Sequence, residues 1–243
     1  MSQPAPPSTS DIIDHFVAPV CHESVDILYQ DDAILLINKP SGLFTLSGKN
    51  PLNWDSVHYR LLHGQEANQS HNGTGIFADA KLPHRLDLGT SGIMVVGLNS
   101  AACKNLNQQF QTRAVQKRYL AMLGGWVAAD SGHFSAPIAK DKALFPRVKI
   151  CHRTGKNALS EYRVIERLSN PPRTLVQFTP VTGRTHQLRI HSLEFGHPIL
   201  GCDLYNTPQW QDLSPRLMLH ASDIYFTHPT TGEPVHGHSP SPF

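Results

Sequence analysis

The run Ile93-Met94-Val95-Val96-Gly97-Leu98 constrains this chain most, because it is too apolar to be anything but a buried strand. Directly before it stands His84-Arg85-Leu86-Asp87-Leu88-Gly89-Thr90-Ser91-Gly92, a Gly/Thr/Ser-rich turn that carries a carboxylate with an arginine two residues earlier. Between Lys81 and Leu120 six Lys or Arg residues accompany one acid, Asp87. A lone carboxylate among cations is expected to keep its charge and to be well placed to meet a polyanion. Taken alone, Arg85-Leu86-Asp87 also fits a structural ion pair at a turn.

Length and composition set the bounds. A chain of 243 residues makes one large domain or two small ones, and 40% hydrophobic with 16% charged residues fits an ordinary soluble globular protein. The formal charge of +2 hides an uneven distribution. Residues 1–40 hold six acids and one base, whereas residues 140–156 hold six bases and one acid. That pattern suits a protein holding a few RNA phosphates rather than coating long duplexes. Cys21, Cys103, Cys151 and Cys202 form no C-x-x-C pair and read as reduced thiols of a cytosolic protein. Fifteen histidines show no metal-ligand spacing, so no metal is expected, and His236-Gly237-His238 reads as a solvated tail. The sequons at Asn68 and Asn72 mean little without secretion. With no signal peptide and no long apolar run, the expectation is a cytoplasmic protein without a membrane span.

In chain order, residues 1–24 are expected to be a flexible arm, rich in Pro and Ser, and residues 25–243 a single catalytic domain. Val25–Tyr29 and Ala33–Asn38 predict a hairpin, followed by a loop at Asn38-Lys39-Pro40-Ser41-Gly42 with an exposed lysine. Trp54, Val57 and Leu61 predict an amphipathic helix, and the polar stretch from His63 to about Ala80 a surface loop. Asn99 or Ser100 caps a helix running to about Thr112. Gln116–Leu123 is β-type with a cationic start, and its Tyr119 by itself fits a core aromatic. Residues 140–156 read as a basic loop or hairpin, facing RNA or simply solvated. Leu159–Arg167 and Arg173–Pro180 predict strands joined at Asn170-Pro171-Pro172, and Arg216 begins a last strand reaching about Phe226. A helix is expected from near Thr185 to Gly196, with Arg184, Leu188 and His191 on one face and Arg189 pointing elsewhere.

His-Arg-Leu-Asp followed by Thr-Ser-Gly resembles the active-site motif of the RluA-type RNA pseudouridine synthases. Three further segments are similar to that family: Asn38-Lys39-Pro40-Ser41-Gly42, Lys117-Arg118-Tyr119 at 32 residues beyond Asp87, and Gly183-Arg184-Thr185-His186-Gln187-Leu188-Arg189-Ile190-His191. The resemblance spans roughly residues 25 to 240 and is to the compact type, without a preceding S4-like module. It implies Asp87 as catalytic nucleophile, Tyr119 packed on the target base, and Arg184 as the arginine that pairs with Asp87. It further implies RNA contacts at Lys39, His84, Arg85, Thr90, Lys117, Arg118, His186 and Arg189, with Arg85 filling the space that a flipped uridine leaves.

The implied partner is RNA, 23S ribosomal RNA or transfer RNA or both, with no DNA, no membrane, no cofactor and a monomeric state. The implied fold is α+β: a twisted, largely antiparallel mixed sheet with flanking helices and an RNA groove across its middle. Two other readings remain. A non-catalytic RNA-binding protein would have had no reason to keep Asp87, Tyr119 and Arg184 together. A glycosidic hydrolase would need a second carboxylate near Asp87, and the sequence around it supplies none.

Overall fold

The structure is a computed structural model and describes residues 16–48, 50–64, 76–210 and 212–243. Most of the expected arm (residues 1–15), most of the expected polar loop (residues 65–75) and both sequons lie outside those residues.

A hairpin opens the sheet: β1 (Asp26–Gln30) pairs antiparallel with β2 (Ile34–Lys39). Asp31 closes its turn by accepting from the Ala33 and Ile34 amides at 2.8 Å each. Helix α1 (Val57–His63) follows, with the Ser56 hydroxyl capping it on the Tyr59 amide. The apolar run is β3 (Ser91–Gly97), buried at every position and paired antiparallel with β2. Helix α2 (Ser100–Gln111), capped by Asn99 as its sequence predicts, packs Ala102 and Leu106 on this strand.

Strands β4 (Gln116–Gly124), β5 (Ser131–Ser135), β8 (Leu159–Ser169) and β9 (Pro172–Pro180) build the second half of the sheet. The basic segment forms a separate small hairpin, β6 (Ile138–Lys140) with β7 (Val148–Ile150). Helix α3 (Gln187–Glu194) precedes β10 (Leu219–Thr227), and β11 (Pro234–His238) is the last strand. The main path runs β1-β2-β3-β10-β4-β9-β8-β5, with β11 beside β10. Among the described residues only the β3–β10 strand pair is parallel, so the expected mixed, largely antiparallel sheet is what forms.

The β3–β10 junction requires a glycine. At Gly92, φ is +116° and a Cβ would stand 2.2 Å from the Ala221 carbonyl oxygen. Across this seam Gly92, Ala221 and Tyr119 lie in one row. One core gathers β2, β3, α1 and α2; a second gathers β4, β9, α3 and the segment around Ile199 and Tyr205; Tyr119 packs against both. Each fully buried Leu or Ile in them contributes about 1.5–3 kcal/mol.

Two expectations at the termini change. Residues 16–24, expected in the arm, are held on the domain: Asn53 bonds the Phe16 carbonyl and the Ala18 amide, and Arg60 bonds the Cys21 and Glu23 carbonyls. His236-Gly237-His238 is no free tail but lies in β11, where both histidine side chains stay half exposed as expected. Gly237 faces Leu36, Ile93 and Ile224, which leave no room for a Cβ, while both histidines turn outward to Asp223 at 2.9 and 3.1 Å.

Candidate active site

Asp87 rides on the turn that enters β3, and segment 39–45 clamps that turn. Thr45 Oγ1 donates to the Leu86 carbonyl (2.7 Å) and accepts from the Leu86 amide (3.1 Å). The Gly42 amide and Lys39 Nζ donate to the Leu88 carbonyl at 2.9 and 3.2 Å, and Ser41 Oγ donates to that of Gly89 at 2.7 Å. The Thr90 amide donates back to the Asp87 carbonyl at 3.1 Å. Every carbonyl from Leu86 to Gly89 is therefore engaged, which fixes the carboxylate's base.

This clamp corrects the expectation for Lys39. It is fully buried, with Nζ also donating to the Pro40 and Leu43 carbonyls at 2.8 and 2.7 Å, so it reaches no RNA. Burial brings its pKa down to about 7, opposed by Cys21 and Asp87. Thr90 is likewise buried and shapes the turn rather than a surface. His84 is a packing residue too. Its ring stacks on Phe110 at 4.6 Å and its Nε2 accepts from the Val95 amide at 3.0 Å. Burial, with Lys117 nearby, lowers its pKa to about 3, so the ring is neutral. Arg118 leaves on the other face of β4, where it donates to the Tyr225 hydroxyl at 3.0 Å and lies 5.1 Å from that ring.

Opposite the turn stands the start of α3, which differs from its expected form. The helix begins at Gln187, two residues later than predicted, because the Gln187 amide group ties off the preceding turn instead. Its Oε1 accepts from Thr182 Oγ1 (2.7 Å) and the Arg184 amide (3.0 Å), and its Nε2 donates to the Leu159 carbonyl and Ser160 Oγ. His186 enters the helix in the left-handed conformation, φ 51°. The consequence is a change of arginine. Arg184 turns to the Asn157 carbonyl at 3.2 Å, whereas Arg189 puts Nη1 3.9 Å from Asp87 Oδ2. Arg189 is 3% exposed and is also bonded to Asp203 and to Cys202 Sγ. The guanidinium facing Asp87 is therefore that of Arg189, not of Arg184.

His186 Nε2 lies 3.9 Å from the other oxygen of Asp87, and burial keeps the His186 pKa below its ordinary value although Asp87 opposes this. Tyr119 lines the same space, and burial, then the Asp87 charge, raise its phenol pKa. Arg85 bridges the two rims by donating to Thr185 Oγ1 at 3.3 Å. Lys117 reaches over the Phe110 ring at 5.9 Å, with its pKa lowered by burial. Together these groups line a cleft of about 630 Å³, in which Asp87 is the only carboxylate among the described residues. Such a volume admits one nucleotide with room to turn its base.

Tyr205 was not singled out by sequence reasoning. It is fully buried, and its hydroxyl meets both the Val148 amide (2.7 Å) and His186 Nδ1 (2.9 Å). No local signal marks it, since its partners lie 57 and 19 residues away.

The profile of the family described as RNA pseudouridylate synthase matches residues 33–194. The dual-specificity RNA pseudouridine synthase RluA of Yersinia pestis is 42% identical over 210 residues, 86% of this chain and 96% of that one. Its namesake in Haemophilus influenzae is 40% identical over 93% of this chain and 97% of its own length, and that of Escherichia coli K12 is 39% identical over 89% and 93%. Among solved structures, human RNA pseudouridylate synthase domain containing 1 superposes with a TM-score of 0.74 at 28% identity, covering 93% of this chain and 86% of that one. A fold with this sheet, this profile over most of the chain and these relatives places the chain in the RluA-type family of RNA pseudouridine synthases, isomerases that convert uridine in RNA to pseudouridine.

Proposed function

We propose that Asp87 carries the isomerisation in this chain, with Arg189, Tyr119 and His186 as its immediate partners. The observation that supports this most is the convergence of two donors on one carboxylate. Arg189 faces Oδ2 and His186 faces Oδ1, each at 3.9 Å, in a cleft that also holds Tyr119. Those separations are beyond hydrogen-bond length and tighten once a nucleotide displaces water.

The reaction breaks the bond between N1 of uracil and C1′ of ribose, turns the base, and joins its C5 to C1′. C5 loses its proton and N1 gains one, so substrate and product have the same composition. Attack on the sugar, attack on the base and removal of a sugar proton all start from an ionised carboxylate, and the guanidinium of Arg189 faces it at 3.9 Å. Tyr119 stacks on the detached base, and its high pKa keeps the phenol protonated and able to donate. A hydrolase would need a second carboxylate, and the lining of this cleft offers none.

The uridine leaves its stack to reach Asp87. Arg85, exposed at the rim, takes the vacated space; Lys117 and Arg184 line the cleft as phosphate contacts. The substrates are stem-loops of 23S ribosomal RNA, of transfer RNA or of both, and the dual specificity for which the relatives are named supports a double range. The reading includes a monomer at work in the cytoplasm, with one catalytic domain that takes in residues 16–24 as well as 25–243.

Tritium release from transcripts labelled at uridine C5 tests this, with one transcript of 23S ribosomal RNA, one pool of transfer RNA, and Asp87→Ala as control. Release from both, absent in the variant while RNA is still bound, is expected. Binding without release from either RNA would sink the assignment, and free uracil in the products would indicate hydrolysis instead.

A further inference from the structure

The hydroxyl of Tyr205 is spent in an informative way. It accepts from the Val148 amide at 2.7 Å and stands 2.9 Å from His186 Nδ1. A phenol has one proton to give, and the Val148 amide cannot receive it. The arrangement that satisfies all three groups has the Tyr205 O–H donating to Nδ1. A neutral His186 then carries its proton on Nε2, the atom that faces Asp87 at 3.9 Å. The Tyr205 ring is fixed in turn, with the Arg147 and Arg189 guanidiniums each 5.3 Å from its centroid. His186 holds its ring in this place with left-handed backbone, φ 51°, which non-glycine residues rarely adopt.

We propose that Tyr205 is a positioning residue for the isomerisation: through His186 it fixes a neutral imidazole whose Nε2–H points at Asp87, making the carboxylate's environment depend on one buried hydroxyl. The inference rests on the reading of Asp87 given above. The charged and titratable groups around the imidazole are Asp87 and Arg85 from the turn before β3, Arg189 on α3, and Asp203 and Tyr205 from the loop after it. Burial first, then the Arg189 and Arg85 charges, hold the ring neutral against Asp87 and Asp203, and a donor to Nδ1 works in the same direction.

Tyr205→Phe removes the oxygen and keeps the ring. The expected result is about a tenfold fall in kcat for tritium release with KM within about twofold, the loss of one well-placed hydrogen bond. The acid limb of kcat is expected to move up by about one pH unit, because the freed imidazole protonates more readily. His186→Gln keeps an N–H where Nε2 stands and does not titrate. In that background Tyr205→Phe is expected to cost nothing further.

Equal losses in both backgrounds would overturn the proposal, since Tyr205 would then act through Val148 and the fold. Nitrogen NMR of His186 at pH 7.5 reads the same point without turnover. A proton on Nε2 in the wild type, and its redistribution in Tyr205→Phe, is expected, whereas an Nδ1–H or cationic ring in the wild type overturns the proposal. An inactive wild type with the expected NMR result would condemn the synthase assignment of Asp87 and leave the hydrogen-bond chain standing.

Discussion

On the N-terminal side of Tyr119, Asp87 rides on a turn whose four carbonyls are tied down, three of them by segment 39–45. On the C-terminal side, the groups that face it project from the first turn of α3 as side chains, held by other side chains: Asp203 and Cys202 for Arg189, Tyr205 for His186. One half thus fixes a position mostly through its backbone, and the other faces it with an arginine and a histidine. The separation has a physical logic. A cation beside Asp87 in its own turn would be a local ion pair, worth little and always present. Cations from the far side of a cleft act where a substrate excludes water, and there each is worth more.

The contrast breaks most sharply at the two arginines. Arg189→Met is expected to lower kcat about 100- to 1000-fold, the scale for losing one charge-stabilising donor, while Arg184→Met stays within about fivefold. Equal losses would return the role to Arg184. On the other half, Thr45→Val keeps the shape but deletes both bonds to Leu86, so urea unfolding should show a loss of about 2 kcal/mol. An unchanged midpoint would mean that the clamp does not hold the turn.

His84 adds a pH signature to the same half. Its folded pKa, about 3, lies below the unfolded value near 6.5, so the unfolded chain binds the extra proton between them. The stability it contributes is complete above pH 6.5 and drains away as the pH falls towards 3. Between pH 7 and 4.5 the wild type should lose about 2 kcal/mol more than His84→Gln. Parallel curves would show that the ring protonates freely. The smallest effect expected is on RNA binding by neighbours in β4. Lys117→Ala should weaken it several-fold and reduce the salt slope by about 0.7–0.9, and Arg118→Ala should leave both unchanged.

Much of the frame was legible. Asn99 capping α2, the β1–β2 hairpin and the buried β3 follow from local pattern, which the structure repeats. The motif around Asp87 drew attention to a turn that lines the cleft for the same reason: charge and glycine stand together in the sequence. What failed was set by distant contacts. Lys39 reads as a loop cation until the carbonyls of Leu43 and Leu88 close around it. Arg184 and Arg189 trade places because Gln187 bonds to β8, which delays the helix, and no spacing within the segment records that bond. Strand β11 escaped notice because His-Gly-His lacks apolar alternation, its glycine being chosen for the room Ile93 denies a side chain.

The place of β10 also sets when the sheet can be completed. This strand lies between β3 and β4, yet it is residues 219–227 of 243. A ribosome making the chain from its N-terminus releases the Asp87 turn, Tyr119 and Arg189 well before the strand that aligns Gly92 with Tyr119. Until then the two halves have no common seam, and their loop-closure cost is still outstanding. Chains short of Thr227 therefore lack the strand that joins the two halves of the cleft.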